Sequence, residues 1–375
     1  MAELNVSRKT IFKLFSEMSE KLFVIPEYQR PYTWDVEKCE TLWNDITNFF
    51  FEREDSDEYF LGTIVTCKSD ADQKEIEIID GQQRVTSLLL LLRAFYAKLQ
   101  AMAEDDNIIG LKRQVEPCLW DVDPISGRVK DFAKIHIASR VATESDNDAF
   151  HAILKTGRSV SGATDKYTAN YEFFFEQCEK FAKDHPTHWQ PLLVVILRFS
   201  IVLPIECETA DTALTIFSTL NDRGEPLSDA DIFKAQIYRA QATPELKSQF
   251  SQQWKELTET TKDGDLDVND LFRYYTHLIR GKAGDKSKEV GLRKFYAEDN
   301  YTRLKNSKIM TDLAILADYW VSLNNLSEYA DDQVTFNTEI LKFIHCLQSY
   351  PNEYWKYVTT VFLFKNRGQK DFAEI

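Results

Sequence analysis

The chain has 375 residues, of which 43% are hydrophobic and 13% aromatic. This apolar content exceeds what one core of ordinary size needs, so we expect two domains, or one domain with a large insertion, and we exclude intrinsic disorder. Acidic residues (60) outnumber basic ones (45), and the formal net charge of −15 argues against a surface that coats nucleic acid uniformly. A local basic patch remains compatible with this charge.

No membrane segment or metal-binding cysteine pair is expected. The longest apolar runs, Leu88–Leu92 and Pro191–Leu197, are far shorter than the roughly 20 residues of a membrane span. The N-terminal segment carries charges where a secretory peptide needs an apolar core, so we expect a cytoplasmic location. The six cysteines include no CxxC pair, and buried free thiols are the favoured interpretation.

The first hundred residues alternate between helical and extended patterns, as in an α/β core. The strand pattern that ends at Asp80 runs directly into a helix pattern. Apolar residues at three- and four-residue intervals in that helix predict an amphipathic stripe. In chain order we predict a helix over Ser7–Met18, a short apolar run at Leu22–Ile25, a helix over Val36–Phe51, strands at Tyr59–Cys67 and Glu75–Asp80 that form a hairpin, and a helix from Gln82 to about Gln100.

Beyond residue 105 the patterns become mostly helical. We predict a helical insertion over about 105–195 and a strand at Leu197–Cys207, where Pro204 indicates an edge position or a strand end. A helix over Ala210–Leu220 and a break at Asn221–Pro226 follow, and Ser228 with Asp231 resembles a capping box that opens a helix to about Ala240.

The pattern of the remaining residues, 241–375, predicts an all-helical domain that follows an α/β domain over residues 1–240. Large apolar side chains at helical spacing are its expected core anchors. They are Trp254, Leu271, Phe272, Tyr275, Leu278, Phe295, Tyr296, Trp320 and Phe343.

The most informative string is DGQQR, Asp80–Arg84, between a strand and a leucine-rich helix. Gly81 permits a tight turn with positive φ. The free N–H groups and the dipole of the helix N-terminus favour an anion, and Arg84 in the first turn could bind a phosphate oxygen. An Asp-Gly turn before a helix is also common without any ligand. However, a helix that only needs to start rarely requires Gln82, Gln83 and Arg84 in succession.

A second string, IPEYQRPYTW (Ile25–Trp34), predicts a loop stiffened by two prolines. Rigid loops with an arginine, an amide and several aromatic rings are typical of surfaces that bind ligands or bases. The candidate binding residues are Tyr28, Gln29, Arg30, Tyr32 and Trp34. A purely structural role, in which Tyr32 and Trp34 cover the edge of the core, is the alternative.

The third string is IFSTLNDRGEPLSDADIFKA, Ile216–Ala235. Helix capping accounts for Asn221 and Gly224 without a ligand, but it does not account for Arg223 or Lys234. The sequence contains no HExxH metal motif, no GxxxxGK[ST] phosphate loop and no GxSxG elbow.

The three strings, in this order, resemble the N-terminal domain of GmrSD-type modification-dependent restriction endonucleases. The resemblance has motif support over about residues 10–100 and 197–240. It implies a ParB/sulfiredoxin-like nucleotide-binding core, hydrolysis of an NTP (GTP, ATP or UTP) with Mg²⁺, and a role against phage. The DNA sensed would be modified, with glucosylated hydroxymethylcytosine or phosphorothioate groups.

Carried over by residue, the resemblance implies a catalytic set and a nucleotide-binding set. The catalytic set is Asp80, Gln83 and Arg84, with Asp80 also a Mg²⁺ ligand through Mg-NTP. Gly81, Gln82, Gln83, Arg84 and Arg30 would bind the nucleotide, and Asn221, Arg223 and Gly224 would close the site. Tyr28, Gln29, Arg30, Tyr32 and Trp34 would contact DNA or its modification.

Many relatives continue into an HNH nuclease domain, whereas this chain stops at Ile375 without one. The chain is therefore either truncated or partnered by a nuclease subunit, and a homo-oligomer remains open. The main alternative function is a nucleic-acid-binding module of ParB-like fold that does not hydrolyse nucleotide. A sulfiredoxin-like enzyme is the weaker alternative, because no cysteine lies within Asp80–Arg84.

One segment is locally basic despite the acidic chain. Between Arg280 and Lys308, nine basic residues stand against four acidic ones, a local charge of +5. Phosphate neutralisation drives sequence-independent DNA affinity, so Lys286, Lys288, Arg293 and Lys294 are candidate DNA-backbone contacts. A solvated helix face is the alternative.

Overall fold

A computed structural model of the chain describes residues 4–18, 21–68, 75–159, 164–209, 212–213, 216, 228–324 and 338–366. The chain divides into two compact units, the first ending at Pro226 and the second beginning at Leu227. This division falls earlier than the boundary expected after residue 240. The first unit is the expected α/β core with its helical segment, and the described elements of the second unit are helical.

A seven-stranded mixed sheet forms the centre of the first unit. Its spatial order is β1, β9, β4, β5, β3, β8, with β2 also paired to β9. The strands are β1 (Leu4–Val6), β2 (Lys9–Thr10), β3 (Leu22–Ile25), β4 (Tyr59–Lys68), β5 (Glu75–Asp80), β8 (Ile137–Ser139) and β9 (Ser200–Cys207), while β6 (Asp121–Val122) and β7 (Val129–Asp131) form a separate ribbon. β4 and β5 pair in antiparallel fashion, so the predicted hairpin is confirmed, and β4 lies parallel to β9.

Seven helices accompany the strands in the described part of the first unit. They are α1 (Ile11–Met18), α2 (Val36–Glu52), α3 (Gln82–Ala101), α4 (Asp106–Leu119), α5 (Glu144–Thr156), α6 (Lys166–Asp184) and α7 (Trp189–Arg198). Side chains of Asp35, Asp105, Thr143 and Asp165 accept N–H hydrogen bonds at the starts of α2, α4, α5 and α6, which fixes where these helices begin.

Helix α3 is the central helix of this unit rather than a surface helix with one apolar stripe. All five leucines of Leu88–Leu92 are buried, because α4, α5 and α6 all pack against α3. A helix that is apolar on every side is stable only inside a core. The prediction of a single amphipathic stripe therefore underestimates how much of α3 is buried. The segment expected as a helical insertion supplies these packing helices, and its strand β8 also completes the sheet beside β3.

Two predicted boundaries differ from the structure by three or more residues, and the predicted position of Pro204 differs as well. The first helix begins at Ile11 rather than Ser7, because the residues before it pair with β9. Leu197 belongs to α7, so the strand expected from that position begins at Ser200. Pro204 lies inside the sheet, not at an edge. Its missing N–H falls in the gap between β1 and β2, where Ser7 still donates to the Pro204 carbonyl at 3.2 Å.

The described helices of the second unit follow the helical spacing of its sequence. They are α8 (Asp229–Arg239), α9 (Pro244–Asp263), α10 (Val268–Ala283), α11 (Leu292–Ala297), α12 (Ile309–Asn324), α13 (Thr338–Gln348) and α14 (Tyr354–Asn366). Ser228 accepts the Asp231 N–H at 3.1 Å, as its capping pattern predicts. Eight of the nine expected core anchors are buried. Phe343 is the exception, since 66% of it is exposed. The helix predicted over Ala210–Leu220 lies outside the described residues, apart from 212, 213 and 216.

Arg93 is a charged side chain in the core of the first unit, only 1% exposed. Its Nε donates to the Leu154 carbonyl at 3.0 Å, near the end of α5, and its Nη2 donates to Gln100. A cation at a helix C-terminus binds unpaired carbonyl groups and opposes the helix dipole. Arg93 therefore joins α3 to the end of α5.

We expect Arg93→Ala to lower the free energy of unfolding by about 2–4 kcal/mol, because it removes charge-assisted hydrogen bonds and leaves a cavity. Urea denaturation of both proteins measures this difference. The matched control is Arg113→Ala, since Arg113 is exposed on α4, and its effect should stay within about 0.5 kcal/mol. Equal stability of the two variants would contradict the cap role.

Candidate functional site

The DGQQR segment forms a strand-turn-helix junction. β5 ends at Asp80, and Gly81 adopts a left-handed conformation (φ 87°, ψ 3°) as the N-cap of α3. A Cβ on this residue would lie 3.0 Å from Ile64 Cγ1 and 3.2 Å from the Thr63 carbonyl oxygen of β4. Glycine is therefore needed both for the positive φ and for the close approach of β4, as the sequence predicts for the turn.

The N-terminus of α3 has no side-chain cap. Gly81 provides no side chain, and the first helical hydrogen bond runs from the Val85 N–H to the Gly81 carbonyl at 2.9 Å. The preceding N–H groups of the first turn consequently have no capping side chain. Uncapped N–H groups together with the positive end of the helix dipole form a site that favours an anion.

Three charged side chains from different elements influence one another at this junction. They are Asp80 at the end of β5, Arg84 in the first turn of α3 and Arg30 in the loop after β3. Burial raises the pKa of Asp80, while a hydrogen bond from the Gly81 N–H and the charges of both arginines oppose that rise. Burial likewise lowers the pKa of Arg84, and the Asp80 charge opposes this. Asp80 and Arg84 are thus desolvated, and the cluster contains two basic side chains and one acidic side chain.

These charges have little direct compensation within the protein. Among the described residues, no ion pair within 4.0 Å joins Asp80 to either arginine, and Arg84 makes one side-chain hydrogen bond, to the Thr63 carbonyl at 3.0 Å. Partly buried charges without close partners are unfavourable, and they are frequent at functional sites. The two planar guanidinium groups of Arg30 and Arg84 are therefore able to bind an anion.

The amide of Gln83 holds the neighbouring loop. Its oxygen accepts the N–H groups of Thr33 (2.7 Å) and Trp34 (3.2 Å), and its nitrogen donates to the Pro31 carbonyl at 2.8 Å. Gln82 donates to the Arg30 carbonyl at 3.1 Å, and its buried oxygen has no hydrogen-bond partner in the described region. The two glutamines therefore position Arg30, and the Gln82 oxygen is an acceptor without a donor.

The aromatic side chains of the predicted binding loop point largely into the protein. The Tyr32 hydroxyl lies within 2.7 Å of Ser87 Oγ and accepts a hydrogen bond from Asn170 at 2.8 Å, and Trp34 is partly buried against the core. Tyr28 and Gln29 are each only 4% exposed, and the Tyr28 hydroxyl donates to Glu77 at 2.6 Å. Of the predicted contact side chains in this loop, Arg30 and Trp34 are partly exposed, whereas Tyr28, Gln29 and Tyr32 are buried.

A family model described as the N-terminal domain of GmrSD restriction endonucleases matches residues 11–238. The match covers well over half of the chain. The chain belongs to this GmrSD N-terminal domain family. No curated protein matches the chain in sequence. Family membership makes the chain a component of a restriction system, whose substrate is DNA.

All three strings that resemble the GmrSD domain lie inside the matched residues. Of the residues expected to close its nucleotide site, Asn221, Arg223 and Gly224 lie outside the described residues. Within the described ranges, no group of three or more His, Cys, Asp or Glu side chains is placed to hold a metal ion, and no helix is long and apolar enough to cross a membrane.

Sequence reasoning missed one residue of the GmrSD-type junction, Gly62. This glycine lies in β4 directly beneath the Arg84 guanidinium. A glycine inside a strand pattern, here YFLGTIVTC, often marks a bulge or a close approach, and that signal was available.

The predicted basic segment lies in the second unit, beyond the residues matched to the GmrSD domain. Lys286, Lys288 and Lys294 are exposed. Arg293 instead forms an ion pair with Asp229 at 2.9 Å and thereby joins α11 to α8. Arg280 and Arg303 are also paired, with Asp285 and Glu298. The available charge of the segment therefore rests mainly on its lysines.

We expect Gln83→Ala to release the loop, because it leaves two N–H groups and one carbonyl without partners. Amide hydrogen exchange of residues 32–35 should become faster, and the free energy of unfolding should fall by about 1–3 kcal/mol. Gln114→Ala is the matched control, since it truncates a glutamine within α4 whose side chain makes no hydrogen bond to any described residue. Unchanged exchange in the Gln83 variant would mean that the loop is held by other contacts.

Proposed function

We propose that this chain is the NTP-dependent sensor of an anti-phage restriction system, coupled to an HNH nuclease that the described residues do not include. In this proposal the DGQQR junction binds and hydrolyses NTP, and the loop after β3 contacts modified DNA. The observation that carries the proposal is the convergence of Arg84, Arg30 and an uncapped helix N-terminus around Asp80.

The chemistry of the junction suits a polyphosphate. A planar guanidinium can donate two parallel hydrogen bonds to phosphate oxygens, and two such groups from different elements can bind adjacent phosphates. The backbone N–H groups of the first turn of α3 add further donors. A neutral ligand would leave the excess positive charge of this desolvated cluster uncompensated.

The residues also fit a Mg²⁺ ion that enters with the nucleotide. Mg²⁺ is usually held by one or two carboxylates together with substrate phosphates and water, and Asp80 supplies one carboxylate beside the phosphate donors. Bound Mg²⁺ would neutralise phosphate charge. Asp80 would hold the ion, Arg84 and Arg30 would orient phosphate oxygens, and Gln83 would keep Arg30 in place through the loop.

The loop offers a direct connection between nucleotide and DNA. Gln82 and Gln83 lie in the first turn of α3 and bind the backbone of Arg30, Pro31, Thr33 and Trp34. A ligand that moves the first turn would therefore also move the loop. In the proposal Arg30 reaches the DNA or the nucleotide, while the buried Tyr28 and Gln29 shape the surface that meets the modification. Tyr32 and Trp34 mainly support the loop from within the core.

Phosphate release from GTP, ATP, UTP and CTP with Mg²⁺, with and without modified DNA, tests this function. We expect release from at least one NTP, and we expect Arg84→Ala to weaken the affinity for that NTP at least about tenfold, as loss of a charge-assisted contact implies. Cooperative melting of the variant should persist, because Arg84 donates one side-chain hydrogen bond.

The control for this experiment is Arg128→Ala, which removes an exposed arginine from the same unit. NTP binding without phosphate release would favour the alternative, a nucleic-acid-binding module that does not hydrolyse nucleotide. Unchanged NTP affinity in Arg84→Ala would contradict the nucleotide site itself.

We also propose that the exposed lysines of the basic segment bind the DNA backbone. Reversal of Lys286, Lys288 and Lys294 to Glu should weaken binding to modified and unmodified DNA alike. It should also reduce the slope of log affinity against log salt by up to about three. Arg293 is left intact, because its ion pair with Asp229 supports the fold.

Reversal of three other exposed lysines, Lys255, Lys262 and Lys342, changes the net charge equally and serves as the control. A nonspecific charge effect would weaken DNA binding equally in both triple variants. That outcome would exclude the basic segment as a specific contact and would favour Arg30 instead.

A further inference from the structure

The pairing of strand β4 with β9 is irregular around Gly62, beside the candidate nucleotide site. Gly62 has φ +114°, a conformation that other residues rarely adopt. The register between β4 and β9 shifts between Phe60 and Thr63, so Gly62 lies in a bulge. Bulges are frequent beside active sites, where they redirect a side chain or a backbone group.

The guanidinium of Arg84 occupies the space that a side chain at Gly62 would take. A Cβ on Gly62 would lie 2.9 Å from Nη1, 3.0 Å from Cζ and 3.1 Å from Nη2 of Arg84. Because these three distances are nearly equal, the planar group faces Gly62 with its flat side. Its Nη1 donates to the carbonyl of Thr63, the residue after Gly62, at 3.0 Å.

We propose that Gly62 is a positioning residue of the nucleotide site. Its missing side chain lets Arg84 lie flat on β4, and the Thr63 carbonyl then fixes the rotation of the guanidinium. This inference rests on the proposed function, because it assigns Arg84 a nucleotide to bind. It adds the bulge of β4 as a third wall of a site otherwise formed by α3 and the loop.

This geometry explains why the position requires arginine. One N–H of the guanidinium is used on Thr63, and the donors on its other edges make no hydrogen bond to the described residues. They are available to an anion, in a plane set by β4. A lysine has no flat face to pack on Gly62, and it cannot donate to Thr63 and to a bidentate anion in fixed geometry.

The test is a double-mutant cycle with Gly62→Ala, Arg84→Ala and the double variant, titrated with Mg-GTP, Mg-ATP and Mg-UTP by calorimetry. Gly127→Ala is the matched control. Gly127 also has a positive φ (+65°), but a Cβ there would meet nothing within 4 Å. The control therefore carries backbone strain without displacing Arg84. Melting temperatures of all variants provide a second readout that does not depend on ligand.

We expect Gly62→Ala to weaken the affinity for the bound nucleotide by about tenfold or more, comparable to Arg84→Ala, while Gly127→Ala stays within about twofold. We also expect Gly62→Ala to lower the melting temperature less in the Arg84→Ala background than in the wild type, because the clash is then absent. Both results together support the proposal.

Two outcomes separate this inference from the proposed function. If Arg84→Ala abolishes nucleotide binding and Gly62→Ala leaves it unchanged, Gly62 does not position Arg84, although the nucleotide site stands. If no nucleotide binds the wild type, or Arg84→Ala binds normally, both fail. Should Gly62→Ala not fold, the double variant decides. A folded double variant means that the added Cβ destabilises the protein through its clash with Arg84, which supports the proposal. An unfolded double variant means that glycine is needed only to avoid backbone strain, and this result overturns the proposal.

Discussion

The amide group of Gln83 is the contact on which the geometry of the candidate site depends. It binds backbone groups of Pro31, Thr33 and Trp34, about 50 residues earlier in the chain, and it does so from the first turn of α3. An amide can accept and donate at once, so one side chain satisfies the polar backbone of a loop that forms no strand or helix. The loop and the helix N-terminus thereby become one structural element.

This element explains how a strongly acidic protein keeps a positively charged site. In the part of the chain that the structure describes, no carboxylate lies within ion-pair distance of Arg30 or Arg84, and Asp80 interacts with them only over a longer distance. Such charges persist in a folded protein when surrounding contacts determine their position. Here those contacts involve backbone carbonyls: the Gln82 side-chain amide donates to the Arg30 carbonyl, and the Arg84 guanidinium donates to the Thr63 carbonyl.

Much of the fold and the position of the site could be predicted from local sequence patterns. The hairpin of β4 and β5, the positive φ of Gly81 and the start of α3 follow from alternation, turn chemistry and periodicity. The orientation of the loop could not be predicted, because Tyr32 is polar at one end and apolar along its ring. Only the positions of Ser87 and Asn170, both distant in sequence, decide that its hydroxyl is buried.

The role of Gln83 could not be decided from the sequence either. A glutamine in a polar string can serve either as a ligand contact or as a support, and the decision depends on which backbone groups need partners. Pro204 presents the same difficulty. A proline inside a sheet is acceptable here because two short strands, β1 and β2, leave a gap at its side. Whether a proline fits at such a position depends on several segments together, so it cannot be predicted from the local sequence.

The helical segment between β5 and β9 also reaches the site. On α6, Asn170 donates to the Tyr32 hydroxyl and to the Trp34 carbonyl, and Lys166 donates to the Thr33 carbonyl at 2.7 Å. A segment that looks like an insertion in the sequence therefore shares its hydrogen bonds with the half of the unit that carries the candidate site. Excising the segment to obtain a minimal α/β domain would expose the leucines of α3 and remove the hydrogen bonds that hold the loop.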